Sequence, residues 1–160
     1  MAHSPRPTRL LRPTLGALML AGALAGPWQA ASAAACQAWT FGQPPSPGTA
    51  DRTLILHWNG STWAQMASPN QGGTAAANSL TGVAATSPTN AWAVGRSATG
   101  LVHMALILHW NGTKWARVPA PHPGTTSDLF AVAAAAVSNA WAVGTSTSTG
   151  PSQALALHCC

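Results

Sequence analysis

The sequence predicts an all-β chain, a partial β-propeller of about two and a half four-stranded blades preceded by a signal peptide. Three observations predict it. Two blocks of sequence recur at a spacing of about 50 residues, the period of a four-stranded blade. Within each block, short apolar runs are divided by Asn-Gly, Pro and Gly, the punctuation of strands and turns. Beyond the N-terminal leader, no stretch keeps a helical period.

The leader occupies residues 1–33. Arg6, Arg9 and Arg12 precede the apolar run Leu15 to Gly26, which is too short for a bilayer span of about 20 residues. Ala31-Ser32-Ala33 then offers a small-residue cleavage site, so the segment reads as a secretory signal peptide and the chain as secreted and extracellular. A genuine N-terminal helix is the competing reading, opposed by Pro13 and Pro27 at the ends of the run. A lipid anchor on Cys36 is another, opposed by Ala33 where such a site wants a larger aliphatic. After cleavage, Arg52, Arg96, Lys114 and Arg117 face Asp51 and Asp128, so the formal charge falls from +5 to +2. No Lys/Arg cluster remains to bind nucleic acid or anionic lipid, and no membrane span survives signal removal.

Residues 34–53 form a partial first repeat and a Pro-rich linker. Trp39 is followed by Pro45, Pro47 and Gly48 at the spacings at which Trp115 is followed by Pro121, Pro123 and Gly124. This aligns Trp39 with Trp115 and implies that half a unit is skipped before Trp63. Residues 54–105 are repeat unit 1, residues 106–154 are unit 2, and residues 155–160 are the truncated start of unit 3. Leu54 to Met66 returns as Leu106 to Val118 with 9 of 13 positions identical, and Leu80 to Gly95 returns as Leu129 to Gly144 with 10 of 16. Asn59-Gly60 and Asn111-Gly112 are expected as type I′ hairpin turns, joining Leu54–Trp58 to Trp63–Met66 and its counterpart. Val83–Ala85 and Ala91–Val94 form the other hairpin through Ser87 to Asn90. The linkers Pro69 to Gly73 and Pro119 to Gly124 cannot continue a strand, because proline lacks the ladder donor.

The copied residues are His57, Trp58, Asn59, Gly60 and Trp63, then Trp92 and Gly95, and their counterparts His109, Trp110, Asn111, Gly112, Trp115, Trp141 and Gly144. A residue repeated in every unit is better explained by blade geometry than by a unique site. The three histidines, His57, His109 and His158, are expected to bond a neighbouring backbone, and the tryptophans to pack between blades. A carbohydrate-stacking platform would need several tryptophans exposed together.

The Ala-Trp-Ala-Val-Gly and His-Trp-Asn-Gly-x-x-Trp motifs resemble those of secreted bacterial tandem-repeat β-propeller-like proteins, kelch-like in period, over roughly residues 36–158. Asn59 to Trp63 and Asn111 to Trp115 are similar to the Asp-box hairpin of sialidase and sortilin-type propellers, with Asn in place of Asp. That resemblance implies a structural hairpin and no catalytic residue. About two and a half units fall short of the 4 to 8 blades of a closed ring, and Cys159-Cys160 stands where Trp-Asn should come. Three readings stay open: a fragmentary or altered reading frame, several chains completing one ring, or an open repeat stack. An unpaired apolar edge strand would favour self-association through open sheet edges.

Composition argues against an enzyme. Charged residues are 6% of the chain, and Asp51 and Asp128 are its two acids, too few for paired-carboxylate chemistry. His103 and His122, expected in loops, have no second ligand at zinc spacing, and the glycines at Gly72-Gly73 and Gly95 to Gly100 read as turns. No catalytic residue, metal or cofactor is therefore assigned. Cys36, Cys159 and Cys160 are an odd set; a disulfide from Cys36 to Cys159 or Cys160 would staple the first unit to the last. The sequence thus points to a non-catalytic extracellular binding module whose loops Arg96 to His103 and Pro119 to Ser127 meet an extracellular protein or glycan. The rival is the remnant of a propeller-type polysaccharide hydrolase or lyase.

Overall fold

Strands begin and end at the punctuation marks of the sequence. The computed structural model of the chain describes residues 38–42 and 50–159. Ten strands follow in order: β1 (Ala38–Gly42), β2 (Leu54–Trp58), β3 (Trp63–Met66), β4 (Ala77–Ser87), β5 (Asn90–Thr99), β6 (Val102–Trp110), β7 (Trp115–Val118), β8 (Thr126–Ala136), β9 (Asn139–Thr147) and β10 (Gln153–Cys159). The all-β expectation holds: among the described residues the one helical segment is a 3-10 turn at Gly73–Ala75. The signal peptide, and the pairing of Cys36 with Cys159 or Cys160, lie wholly or partly outside the described residues. No described helix is long and apolar enough to cross a membrane.

The strands form antiparallel meanders. β1-β2-β3 make one open sheet; β4-β5-β6-β7 and β8-β9-β10 are joined into a second by a single parallel pairing of His103 with Thr126. Three units of like design result, and their frame starts at the long strands β4 and β8. Trp39 lies opposite His57, Trp92 opposite His109 and Trp141 opposite His158. Trp39 is therefore the counterpart of Trp92, not of Trp115, and Ala38-Trp-Thr-Phe-Gly42 is a degenerate copy of Ala91-Trp-Ala-Val-Gly95. The proline spacing after Trp39 was a coincidence of linker composition, and no half-unit is missing between Trp39 and Trp63.

Each unit presents two faces, because side chains alternate along a strand. Trp39, Phe41, Ile55 and Met66 of the first unit pack on Leu80, Ala91, Ala93, Leu106, Leu108, Trp110 and Trp115 of the second. The opposite face of the second unit, with Trp92, Val94, Ala105 and Ile107, packs on Leu129, Ala140, Ala142, Leu157 and Cys159 of the third. The middle unit is thus covered on both sides. In β5, Ala91, Trp92, Ala93 and Val94 are all 2% exposed or less, whereas the identical residues of β9 alternate: Ala140 and Ala142 are buried while Trp141 and Val143 are 52% and 48% exposed.

Gly95 and Gly144 lie inside strands β5 and β9, which corrects the expectation of a turn at Gly95. At each, the register of the preceding strand shifts, at Leu80/Gly82 and Leu129/Ala131. The bulge presses the carbonyls of Ser79 and Asp128 onto the glycine Cα, where a Cβ would collide with them. Gly100, with φ of 61°, is the true turn residue of that segment.

Candidate functional site

The repeated polar residues are built into the units. Asn59 and Asn111 open four-residue loops in which the side-chain oxygen accepts from the backbone N–H of Ser61 and Thr62 (2.9 and 3.0 Å) and of Thr113 and Lys114 (both 3.0 Å). Positive φ occurs at Gly60 and Gly112 and at no described Asn, so these are Asx-type turns and not type I′. The Asn carboxamide supplies the turn that a left-handed Asn backbone would otherwise have made. The two loops join β2 to β3 and β6 to β7, which pair antiparallel.

Each repeated histidine packs against the tryptophan across from it, stacked for His57 and His109 and tilted for His158. Ring centroids are 4.2 Å apart for Trp39 and His57, 4.2 Å for Trp92 and His109, and 4.7 Å for Trp141 and His158. The second contact is a side chain, where a backbone group was expected: His109 Nε2 meets Asn90 Oδ1 at 2.6 Å and His158 Nε2 meets Asn139 Oδ1 at 3.3 Å. Asn90 Nδ2 donates to Thr86 Oγ1, which turns its oxygen toward His109 and places the proton on Nε2. Burial depresses the His109 pKa below its ordinary value, which keeps the ring neutral.

The tryptophans divide by position. Trp92, Trp110 and Trp115 are buried; Trp110 also donates from Nε1 to the Pro88 carbonyl at 3.1 Å. Trp39 packs 5.3 Å from Trp110 and, edge-on, 5.1 Å from Trp115, linking the first two units. Trp63 and Trp141 are about half exposed, and Trp58 lies 5.6 Å from Trp63. Packing between units thus accounts for part of the set and leaves two indoles on open faces.

At one end of the molecule the structure gathers groups that do not repeat. Linker residues 69–73, the β5–β6 turn and residues 119–125 converge there: Ser97 Oγ donates to the Gln71 carbonyl at 3.0 Å and the His103 amide to the Thr125 carbonyl at 3.3 Å. His103 lies in strand β6 rather than in a loop, and its Nδ1 is 3.2 Å from both Asp128 carboxylate oxygens. Arg96 Nη1 stands 3.4 Å from Asp128 Oδ1. A cleft of about 270 Å³ is walled by Gln71, Met104, Arg117, Pro119 and His122. A second, of about 320 Å³, opens between Pro123 and the β9–β10 turn at Ser148, Thr149 and Gly150. Of the two segments expected as loops, Arg96 to Thr99 and Val102-His103 are instead strand residues of β5 and β6, and Thr126-Ser127 open β8; the two segments meet through the His103–Thr125 hydrogen bond.

The Asp128 contacts escape sequence inspection because the partners are 32 and 25 positions away and lie on different strands. Only the alignment of Asp128 with Ser79 in the preceding unit marks it as an unrepeated feature. No group of three or more His, Cys, Asp or Glu suited to a metal occurs among the described residues. No family model, curated protein or solved structure matches the chain.

Proposed function

We propose that the chain is a secreted, non-catalytic β-propeller-like repeat module that binds an extracellular protein or glycan through its linker-bearing end. Each strand unit serves as a blade, or part of one, of the kelch-like class. The observation that carries the reading is the meeting of residues 96–103 with residues 119–128, through the His103–Thr125 backbone hydrogen bond and the contacts of Arg96 and His103 with Asp128, while His122 of the same linker lines a shallow cleft with Arg117. Asp128 is engaged by Arg96 and His103, so the patch offers hydrogen-bond donors and a compensated carboxylate, a combination suited to hydroxyl-rich or peptide ligands. The repeated His, Asn and Trp side chains supply the scaffold beneath.

Glycan and extracellular-protein arrays probed with the secreted chain test the reading. Arg96→Ala combined with His122→Ala should weaken the captured interaction at least about tenfold, equivalent to about 1.4 kcal/mol, while the melting temperature is kept. Release of sugar products by the chain, abolished in Asp128→Asn, would replace it with the hydrolase or lyase reading.

A further inference from the structure

We infer that the chain assembles head to tail, the open face of its third unit docking on the open face of the first unit of a second copy. This goes beyond the binding reading and stands on the packing of the units alone. The same contact already exists twice inside the chain. A trailing face carrying Trp39 and Phe41, or Trp92 and Val94, packs on a leading face carrying Ala91 and Ala93, or Ala140 and Ala142. In the third unit the trailing face is Trp141, Val143 and Ala156, and it is exposed, with Phe130 beside it at 52%. In the first unit the leading face, by register, is Ala38, Leu54, Leu56, Trp58 and Trp63; Ala38 and Trp63 are exposed, Trp63 at 48%, and Leu54, Leu56 and Trp58 are half-buried.

These two surfaces are copies of surfaces that fit each other. Where Trp39 packs on Trp110 and Trp115, Trp141 of one copy would meet Trp58 and Trp63 of the next and rebuild the same group of three indoles. The contact between the second and third units lacks this trio, since Cys159 stands where Trp110 does. Docking on a second copy therefore reproduces the aromatic-rich contact of the first two units. Large apolar side chains exposed together on a monomer mark an interaction surface. The interface joins different patches, so it is heterologous and either closes or propagates.

The test is complementation, read by sedimentation of the full secreted chain in reductant so that no intermolecular disulfide contributes. Trp141→Glu keeps only the leading face intact and Trp63→Glu only the trailing face. The wild type is expected as a multimer, each variant alone at the single-chain mass, and their mixture as a one-to-one dimer. Val143→Lys, at the rim of the same face, should behave as Trp141→Glu, and unchanged far-ultraviolet circular dichroism shows that the variants fold. A wild type of single-chain mass overturns the inference. So does a variant that multimerises alone, the result expected of pairing through strand edges, or a mixture that stays monomeric.

Discussion

The same four residues, Ala-Trp-Ala-Val, occur in β5 and β9, and their environments set different energetic roles. Trp92 is 2% exposed between two units, so Trp92→Ala removes an indole from a packed contact and should cost about 3–5 kcal/mol. Trp141→Ala, at a half-exposed position, should cost less than about 1 kcal/mol in dilute chain. Chemical denaturation of the two variants checks the difference. His109 gives a second prediction at this scale. Its folded pKa lies below the unfolded value near 6.5 because burial penalises the charged ring. The unfolded chain therefore takes up the proton first. The His109 contribution is complete above about pH 6.5 and is lost as the pH falls through and below that value. Melting should occur at a lower temperature at about pH 5 than at about pH 7.5, and His109→Gln should flatten the difference.

At the scale of elements, turn chemistry sets strand boundaries. Asn111 satisfies two backbone donors of the β6–β7 loop through its side chain, and Gly112 accepts the positive φ of 91° that follows. Asn111→Ala should cost about 1–2 kcal/mol, the loss of a cap-like bond pair, whereas Asn111→Asp should retain most of the stability. Asn111→Gly, measured by thermal melts beside them, distinguishes this from a turn held by left-handed backbone: here Gly should lose about as much as Ala, whereas a left-handed position would accept it at little cost. The strands themselves were legible from the Asn-Gly, Pro and Gly punctuation, since those residues act locally. Turn type was not, because a type I′ turn and an Asx turn use the same dipeptide and differ in which group satisfies the backbone. Gly95 was misread for the same reason: a glycine at a bulge and a glycine in a turn look alike until the neighbouring strand is in place.

For the whole molecule, the recurring motifs are visible along the sequence and the cross-strand register of Trp39 is not. The exact motif Ala-Trp-Ala-Val-Gly hides its relative Ala38-Trp-Thr-Phe-Gly42, and linker prolines supplied a rival alignment for Trp39. Cross-strand register resolves it, since Trp39 faces His57 as Trp92 faces His109. The pairing of Asp128 with His103 and Arg96 belongs to this scale too, because contacts between units follow from stacking and not from spacing along the chain. Stacking also explains why Trp141 and Val143 of the third unit are exposed while their counterparts Trp92 and Val94 in the middle unit are buried. Residue-resolved oxidative footprinting tests face-to-face stacking most directly, with the chain diluted until it sediments as a single copy. Trp63 and Trp141 should oxidise fast and Trp92, Trp110 and Trp115 slowly, although all five belong to the same two repeated motifs. Oxidation of Trp92 as fast as that of Trp141 would contradict the stacking of the second unit on the third.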